Sequence, residues 1–179
     1  MTLTLVRHSE VIEKYQGCYN GHIEIPLSKK GLQDAQELGK KLKNMHFDAI
    51  YCSDLLRAKQ TLQAFHLEKQ NIIYTKELRE KSWGKHEGMS FDEICATGLE
   101  YKNFEQWLEI LDGEDVDTYI QRIKDYFYNV IAKNDAKEIL VVCHSGVIKT
   151  VLSLCENISL EDAFAKELPY SSLTVIEEF

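Results

Sequence analysis

The chain has 179 residues, 44% of them hydrophobic and 28% charged, and carries a formal net charge of −8. That length suits one domain covering residues 1–179, with enough chain to bury a core unaided. The acidic balance excludes a nucleic-acid binder, which needs a basic face, and requires that an anionic ligand be drawn by a local cluster of cations.

Residues 2–6 read as an apolar strand that runs straight into Arg7 and His8. The next twenty or so residues, through Gly17, Asn20-Gly21 and Pro26, carry turn chemistry and form a long loop. Ser28 then caps a helix with Leu32, Ala35, Leu38, Leu42 and Met45 at helical spacing. Residues 48–52 form a second strand. Ser53 is the expected cap of the following helix, which turns Leu55, Ala58, Leu62 and Phe65 inward. A weaker strand covers 71–75, and the charged, glycine-bearing stretch 77–89 reads as loop. Two shorter helices are expected over 91–97 and 99–111. A longer amphipathic helix follows over 115–133, with Tyr119, Ile120, Ile123, Phe127, Val130 and Ile131 inward. The run EILVVC at 138–143 is typical of a central parallel strand covered on both faces. A helix over 146–155 and an edge strand over 172–177 complete the pattern. Strands alternating with helices predict an α/β fold: a three-layer α/β/α sandwich around a mostly parallel sheet.

The five cysteines (Cys18, Cys52, Cys95, Cys143, Cys155) are odd in number and without a CxxC pair, which points to free thiols in a reducing, cytoplasmic setting. No run approaches the roughly 18 to 20 apolar residues of a membrane span. The start of the chain turns charged too soon for a signal peptide. Neither a membrane nor a nucleic acid is therefore an expected partner, and a homodimer is left open.

Arg7 and His8 follow the first strand, Ser53 and Arg57 the second, and His144 and Ser145 the EILVVC strand. In an open parallel sheet ligands bind beyond the carboxyl ends of the strands. Two arginines and two histidines therefore gather in one place, where a helix N-terminus adds backbone N–H groups. Each residue alone has a bland reading as a solvated or satisfied strand end; their shared position gives them meaning. Such a set is a poor metal site and a good phosphate site, so neither metal nor cofactor is expected. Phosphoryl transfer asks chiefly for positioning and charge stabilisation, and a histidine nucleophile divides one hard displacement into two.

Four motifs make a resemblance explicit. Arg7-His8-Ser9-Glu10 resembles the Arg-His-Gly signature of the histidine phosphatase superfamily, which includes the phosphoglycerate mutases. Residues 53–61 (SDLLRAKQT), the segment Glu77-Leu78-Arg79-Glu80 with WGKHEG after it, and Val142-Cys143-His144-Ser145-Gly146-Val147 resemble its other three motifs in order. The resemblance implies a phosphoglycerate mutase-like fold and a phosphomonoester substrate. It implies that His8 is the nucleophile, that Arg7, Arg57 and His144 hold the phosphoryl oxygens, and that Glu80 is the proton donor to the leaving oxygen. Ser145 would add a contact at the helix start.

The chain departs from the pattern at Ser9, where glycine is usual, and at Lys14, where many relatives carry asparagine. Lys14 would supply charge instead, and Asn20-Gly21 a side-chain amide and a free N–H. The loop 17–27 resembles a stretch of alpha-ribazole phosphatases of cobalamin assembly, with Asn20 as one extra residue, which implies alpha-ribazole phosphate as a substrate. Two other readings stay open. One is a mutase, against which the short stretch between Gly88 and residue 115 argues, since it leaves an open site. The other is a catalytically dead phosphate-binding module, which would not need Glu80. A cysteine phosphatase is excluded because Lys149 follows Cys143 where arginine would be needed and the spacing from Cys52 to Arg57 is one short. His86-Glu87 lacks the second histidine of a metal hydrolase.

Overall fold

The computed structural model describes residues 1–67 and 71–179. Five strands, β1 (Thr2–Arg7), β2 (Ala49–Ser53), β3 (Ile72–Thr75), β4 (Glu138–Cys143) and β5 (Leu173–Ile176), form one sheet in the order β3-β2-β4-β1-β5. The first four run parallel, and β5 closes the edge antiparallel to β1. The predicted fold class is thus observed. Its continuous apolar strand β4 lies at the centre, buried from Ile139 to Cys143.

Helices cover both faces. On one, α1 (Lys29–Leu42) and α2 (Leu56–Gln63) bury Leu38, Leu42, Ala58 and Leu62 against Val6, Ile50, Leu140 and Val142. On the other, α5 (Val116–Tyr126) and α6 (Ser145–Glu156) pack Tyr119, Ile123, Val147 and Ile148 against Leu3, Leu5, Ile139 and Val141. The alternation of sheet residues between the two cores is the period-2 pleat expressed as layers. A smaller apolar cluster of Trp83, Ile94, Trp107, Leu108 and Leu111 gathers α3 (Phe91–Cys95) and α4 (Phe104–Ile110) at one side. The last helix, α7 (Leu160–Ala165), was not anticipated; Ser159 caps it by accepting from Asp162 N. Among the described residues no helix is long and apolar enough to cross a membrane.

The expected cap at Ser28 is present, its Oγ accepting from Gly31 N at 2.8 Å. Glycine is needed at 31 because a Cβ there would lie 2.0 Å from the Glu10 carbonyl oxygen. Several expectations are corrected. Leu32 and Met45 are 41% and 40% exposed, not inward. The buried face of α1 runs through Gly31, Ala35, Leu38 and Leu42, so Leu32 sits one step off it and Met45 lies beyond the helix end. Residues 99–103 are not helical: Asn103 caps α4, and Tyr101 packs on Trp107 at 4.8 Å. The 115–133 helix changes register. Residues Phe127–Ile131 form a π turn, with Ala132 N donating to Phe127 O at 2.8 Å. These wider i→i+5 turns carry Val130 off the inner face while returning Ile131 to it. Ser53 is the last residue of β2 rather than a helix cap; Leu55 takes the cap position without a side-chain bond.

Candidate active site

The parallel sheet brings the ends of β1, β2 and β4 to one edge. Arg7 and Cys143 are register partners, and His8 N extends the ladder by donating to Cys143 O at 2.9 Å. The next residues on both strands, His8 and His144, therefore lie side by side, ring centroids 5.2 Å apart.

The His8 tautomer follows from its hydrogen bond. His8 Nδ1 lies 2.8 Å from Ser9 O, a pure acceptor, so Nδ1 carries the hydrogen and Nε2 keeps its lone pair. His144 Nε2 lies 2.8 Å from Ser53 Oγ. The Ser53 hydroxyl can donate or accept there; when it donates to Nε2, the His144 hydrogen lies on Nδ1 and makes that nitrogen a donor.

Arg57 is fully buried. Its Nη1 donates to Ile23 O at 3.1 Å, and Nη2 to Asn20 O and Gly21 O at 2.9 and 2.7 Å. Arg7 donates through Nη1 to Leu168 O and lies under the Tyr170 ring, 4.1 Å from its centroid. Three buried nitrogens near His8 have no hydrogen-bond partner among the described residues: Arg7 Nε, Arg57 Nε and His144 Nδ1. Buried orphan donors are uncommon outside functional sites, and three of them with two guanidinium charges match the oxygens of a phosphoryl group.

Glu80 is held from three directions. Its Oε1 accepts from Tyr119 OH at 3.0 Å and Lys81 N at 3.1 Å, and its Oε2 from Gly146 N at 2.8 Å, at the start of α6. Gly146 permits this approach, since a Cβ there would stand 2.2 Å from Glu80 Oε1. Arg7, His8, Glu80, Asn20 and Ser145 line a cavity of about 160 Å³. Its remaining wall is uncharged: Cys18, Tyr19, Trp83 and Tyr170.

Arg57 and His144 are not among its lining residues; Arg57 acts on His8 through its charge, and the His144 ring lies 5.2 Å from the His8 ring. Burial first, then Arg57 and Arg7, lowers the His8 pKa well below 6.5. Burial followed by Arg57 and His8 does the same to His144. Burial pushes the Arg57 guanidinium down to about 10, which leaves it cationic at neutral pH. A neutral His8 is therefore maintained well into acid, and the acidic inflection of kcat/KM is expected below pH 6.5. An inflection above that value in a pH–rate profile would contradict the assignment. Stability has the same sign: below about pH 6.5 the unfolded imidazoles bind protons that the folded ones refuse. Each costs up to about 1.4 kcal/mol per pH unit until its folded pKa is reached.

Two expectations are corrected. Lys14 is exposed, its ammonium 5.1 Å from the Tyr15 ring centroid, because the single turn Glu13–Tyr15 directs it outward; it does not line the cavity. Gly21 offers no free N–H, since it donates to Glu87 Oε2 at 2.7 Å, and its carbonyl serves Arg57. Asn20 reaches the cavity, but its Nδ2 donates to Tyr15 O. The contacts of Ser53 with His144, Tyr119 with Glu80, Glu87 with Gly21 and Tyr170 with Arg7 have no local signal in the sequence. Tyr119 looked like an ordinary core position, and Tyr170 belongs to no motif.

No group of three or more His, Cys, Asp or Glu among the described residues is placed to hold a metal ion. Comparison with known proteins agrees with the geometry. The model of the histidine phosphatase superfamily (branch 1) matches residues 3–178. The chain is 28% identical over 160 residues to the adenosylcobalamin/alpha-ribazole phosphatase of Escherichia coli, covering 86% of this chain and 78% of that protein. It is 25% identical over 204 residues to a 2,3-bisphosphoglycerate-dependent phosphoglycerate mutase of Methanococcus vannielii, covering 93% and 86%. The crystal structure of the alpha-ribazole phosphatase from Shigella flexneri matches with a TM-score of 0.85 at 25% identity, covering 99% of this chain and 90% of that one.

Proposed function

Since the chain belongs to the histidine phosphatase superfamily, we propose that it hydrolyses a small phosphomonoester through a phosphohistidine on His8. The observation that carries this reading is the gathering around His8 of three unpartnered buried nitrogens, on Arg7, Arg57 and His144, next to a cavity that His8, Arg7 and Glu80 line. His8 Nε2 forms a bond to phosphorus as the ester P–O bond breaks, and Glu80 gives a proton to the departing oxygen. Water then attacks phosphorus, the N–P bond returns its electrons to His8, and the water proton passes to Glu80. Alcohol and phosphate are released, and the enzyme returns to its starting state. Arg7, Arg57 and His144 Nδ1 hold the three oxygens on which charge is spread.

The cavity supports hydrolysis over mutase action. Among its described lining residues the permanent cation is Arg7, which the phosphoryl group occupies. A phosphoglycerate would set its carboxylate against Tyr19, Trp83 and Tyr170, with no second cation among the described lining residues to pair with it. An uncharged leaving group fits that wall, and alpha-ribazole phosphate, named by the relatives, is the first substrate to try. A phosphate-release screen tests this. Esters with uncharged leaving groups are expected to exceed 3-phosphoglycerate in kcat/KM by at least about tenfold. Isomerisation of phosphoglycerate with a bisphosphate primer and negligible phosphate release would replace the phosphatase reading by the mutase one. Binding without turnover on any ester would leave a phosphate-binding module.

A further inference from the structure

Ser9, which stands where the family signature has glycine, does not use left-handed backbone; among the described non-glycine residues positive φ occurs at His66, Asn157, Ser171 and Glu178. Its side chain is fully buried, and its Oγ pairs at 2.7 Å with Ser171 Oγ. Ser171 has φ of 58°, a conformation that a serine holds only when its surroundings fix it. The same short segment is stitched to β1 by three more contacts: Arg7 N to Ser172 O at 3.1 Å, Ser171 N to His8 O at 3.4 Å, and Arg7 Nη1 to Leu168 O. Between these anchors Tyr170 places its ring over the Arg7 guanidinium and 5.6 Å from the His8 ring.

We propose that Tyr170, locked in place by the Ser9–Ser171 hydroxyl pair, is a positioning residue that fixes which edge of Arg7 meets the phosphoryl group. The proposal rests on reading the cavity as a phosphate site. A guanidinium presents a side-on fork, Nε with Nη2, and an end-on fork, Nη1 with Nη2. With one Nη1 hydrogen given to Leu168 O and one face covered by Tyr170, the side-on fork is marked out by its Nε, which is buried and unpartnered. This is the fork that Arg79 and Arg122 apply to the carboxylates of Asp54 and Glu114 elsewhere in the molecule. The ring selects a planar bidentate grip and spares Arg7 the rotamer search otherwise needed on binding. Glycine at position 9 would remove the hydroxyl that holds the strap.

Binding of inorganic phosphate, measured by calorimetry, tests this independently of turnover. Tyr170→Leu is expected to weaken phosphate about tenfold, while Tyr170→Phe, which keeps the ring, stays within about twofold. Ser9→Ala and Ser171→Ala should each weaken it about threefold, and the double variant no further, since both remove one hydrogen bond. In an Arg7→Lys background, where no fork exists, Tyr170→Leu should cost less than about twofold more. In turnover of p-nitrophenyl phosphate the Tyr170→Leu loss should fall mainly on KM. Equal losses in Phe and Leu variants, or an undiminished Leu effect in the Arg7→Lys background, would overturn the positioning role. So would a wild-type protein that does not bind phosphate. Phosphate binding that shows the coupling without any ester turnover would instead sink the phosphatase reading and leave the Arg7–Tyr170 arrangement standing.

Discussion

His8→Ala should lower phosphomonoester turnover by at least about 10³-fold and leave the protein folded. The loss is catalytic because the imidazole supplies the electron pair for the first displacement. Neither arginine, with no lone pair to offer, nor His144, whose Nε2 is engaged by Ser53, can replace it. The fold should survive, since truncation leaves only the Ser9 carbonyl without its side-chain donor, and an underused carbonyl is the mildest of buried losses. Rapid quench of the wild-type enzyme should trap phosphate on protein in an acid-labile, alkali-stable form that is missing from His8→Ala. Acid-stable phosphoprotein would assign the nucleophile to a hydroxyl instead.

Arg57→Leu is expected to be severe in a second way, damaging stability and chemistry together. The guanidinium is the donor for three backbone carbonyls of the loop after β1, those of Asn20, Gly21 and Ile23. Removing it leaves them buried or half-buried without that partner and takes a charge from beside His8. A destabilisation of about 3–5 kcal/mol is expected from breaking such a buried charged network. Turnover in the fraction that folds should fall about 10²–10³-fold, the usual cost of one stabilising donor at the transferring group. Arg7→Leu gives the contrast: with a single carbonyl lost, it should match Arg57→Leu in turnover and be milder in denaturant melts. A melt for Arg57→Leu within about 1 kcal/mol of wild type would mean that the loop is held by other contacts.

The parts of this arrangement that the sequence displays are those written in local pattern. The EILVVC run announces a buried central strand because burial on both faces leaves no polar alternation to confuse it. The cap at Ser28 and the strand end at His8 are likewise local. The misread parts depend on contacts distant in the chain. Ser53 has every local attribute of a helix cap, yet its hydroxyl is claimed by His144, 91 positions away. Val130 falls outside because the helix widens where it meets Phe179 and the end of the sheet. Tyr119 occupies a core position by periodicity, and nothing local says that its phenol oxygen serves Glu80. Tyr170 is invisible for the same reason, since a residue in an unpatterned segment acquires meaning only from what β1 presents to it.

The register of β1 against β4 also bears on how the molecule comes to exist. The two histidines become neighbours through a pairing that runs from Thr2 opposite Glu138 to Arg7 opposite Cys143, contacts 136 positions apart. No hairpin can make such a pairing; the loop it closes contains α1 to α5 and both strands of the far edge. Closure entropy grows slowly with loop length but must be met before these contacts give anything back, so a parallel pairing of this span forms late. The candidate site is therefore incomplete until β1 and β4 have paired, for only that pairing sets His8 beside His144.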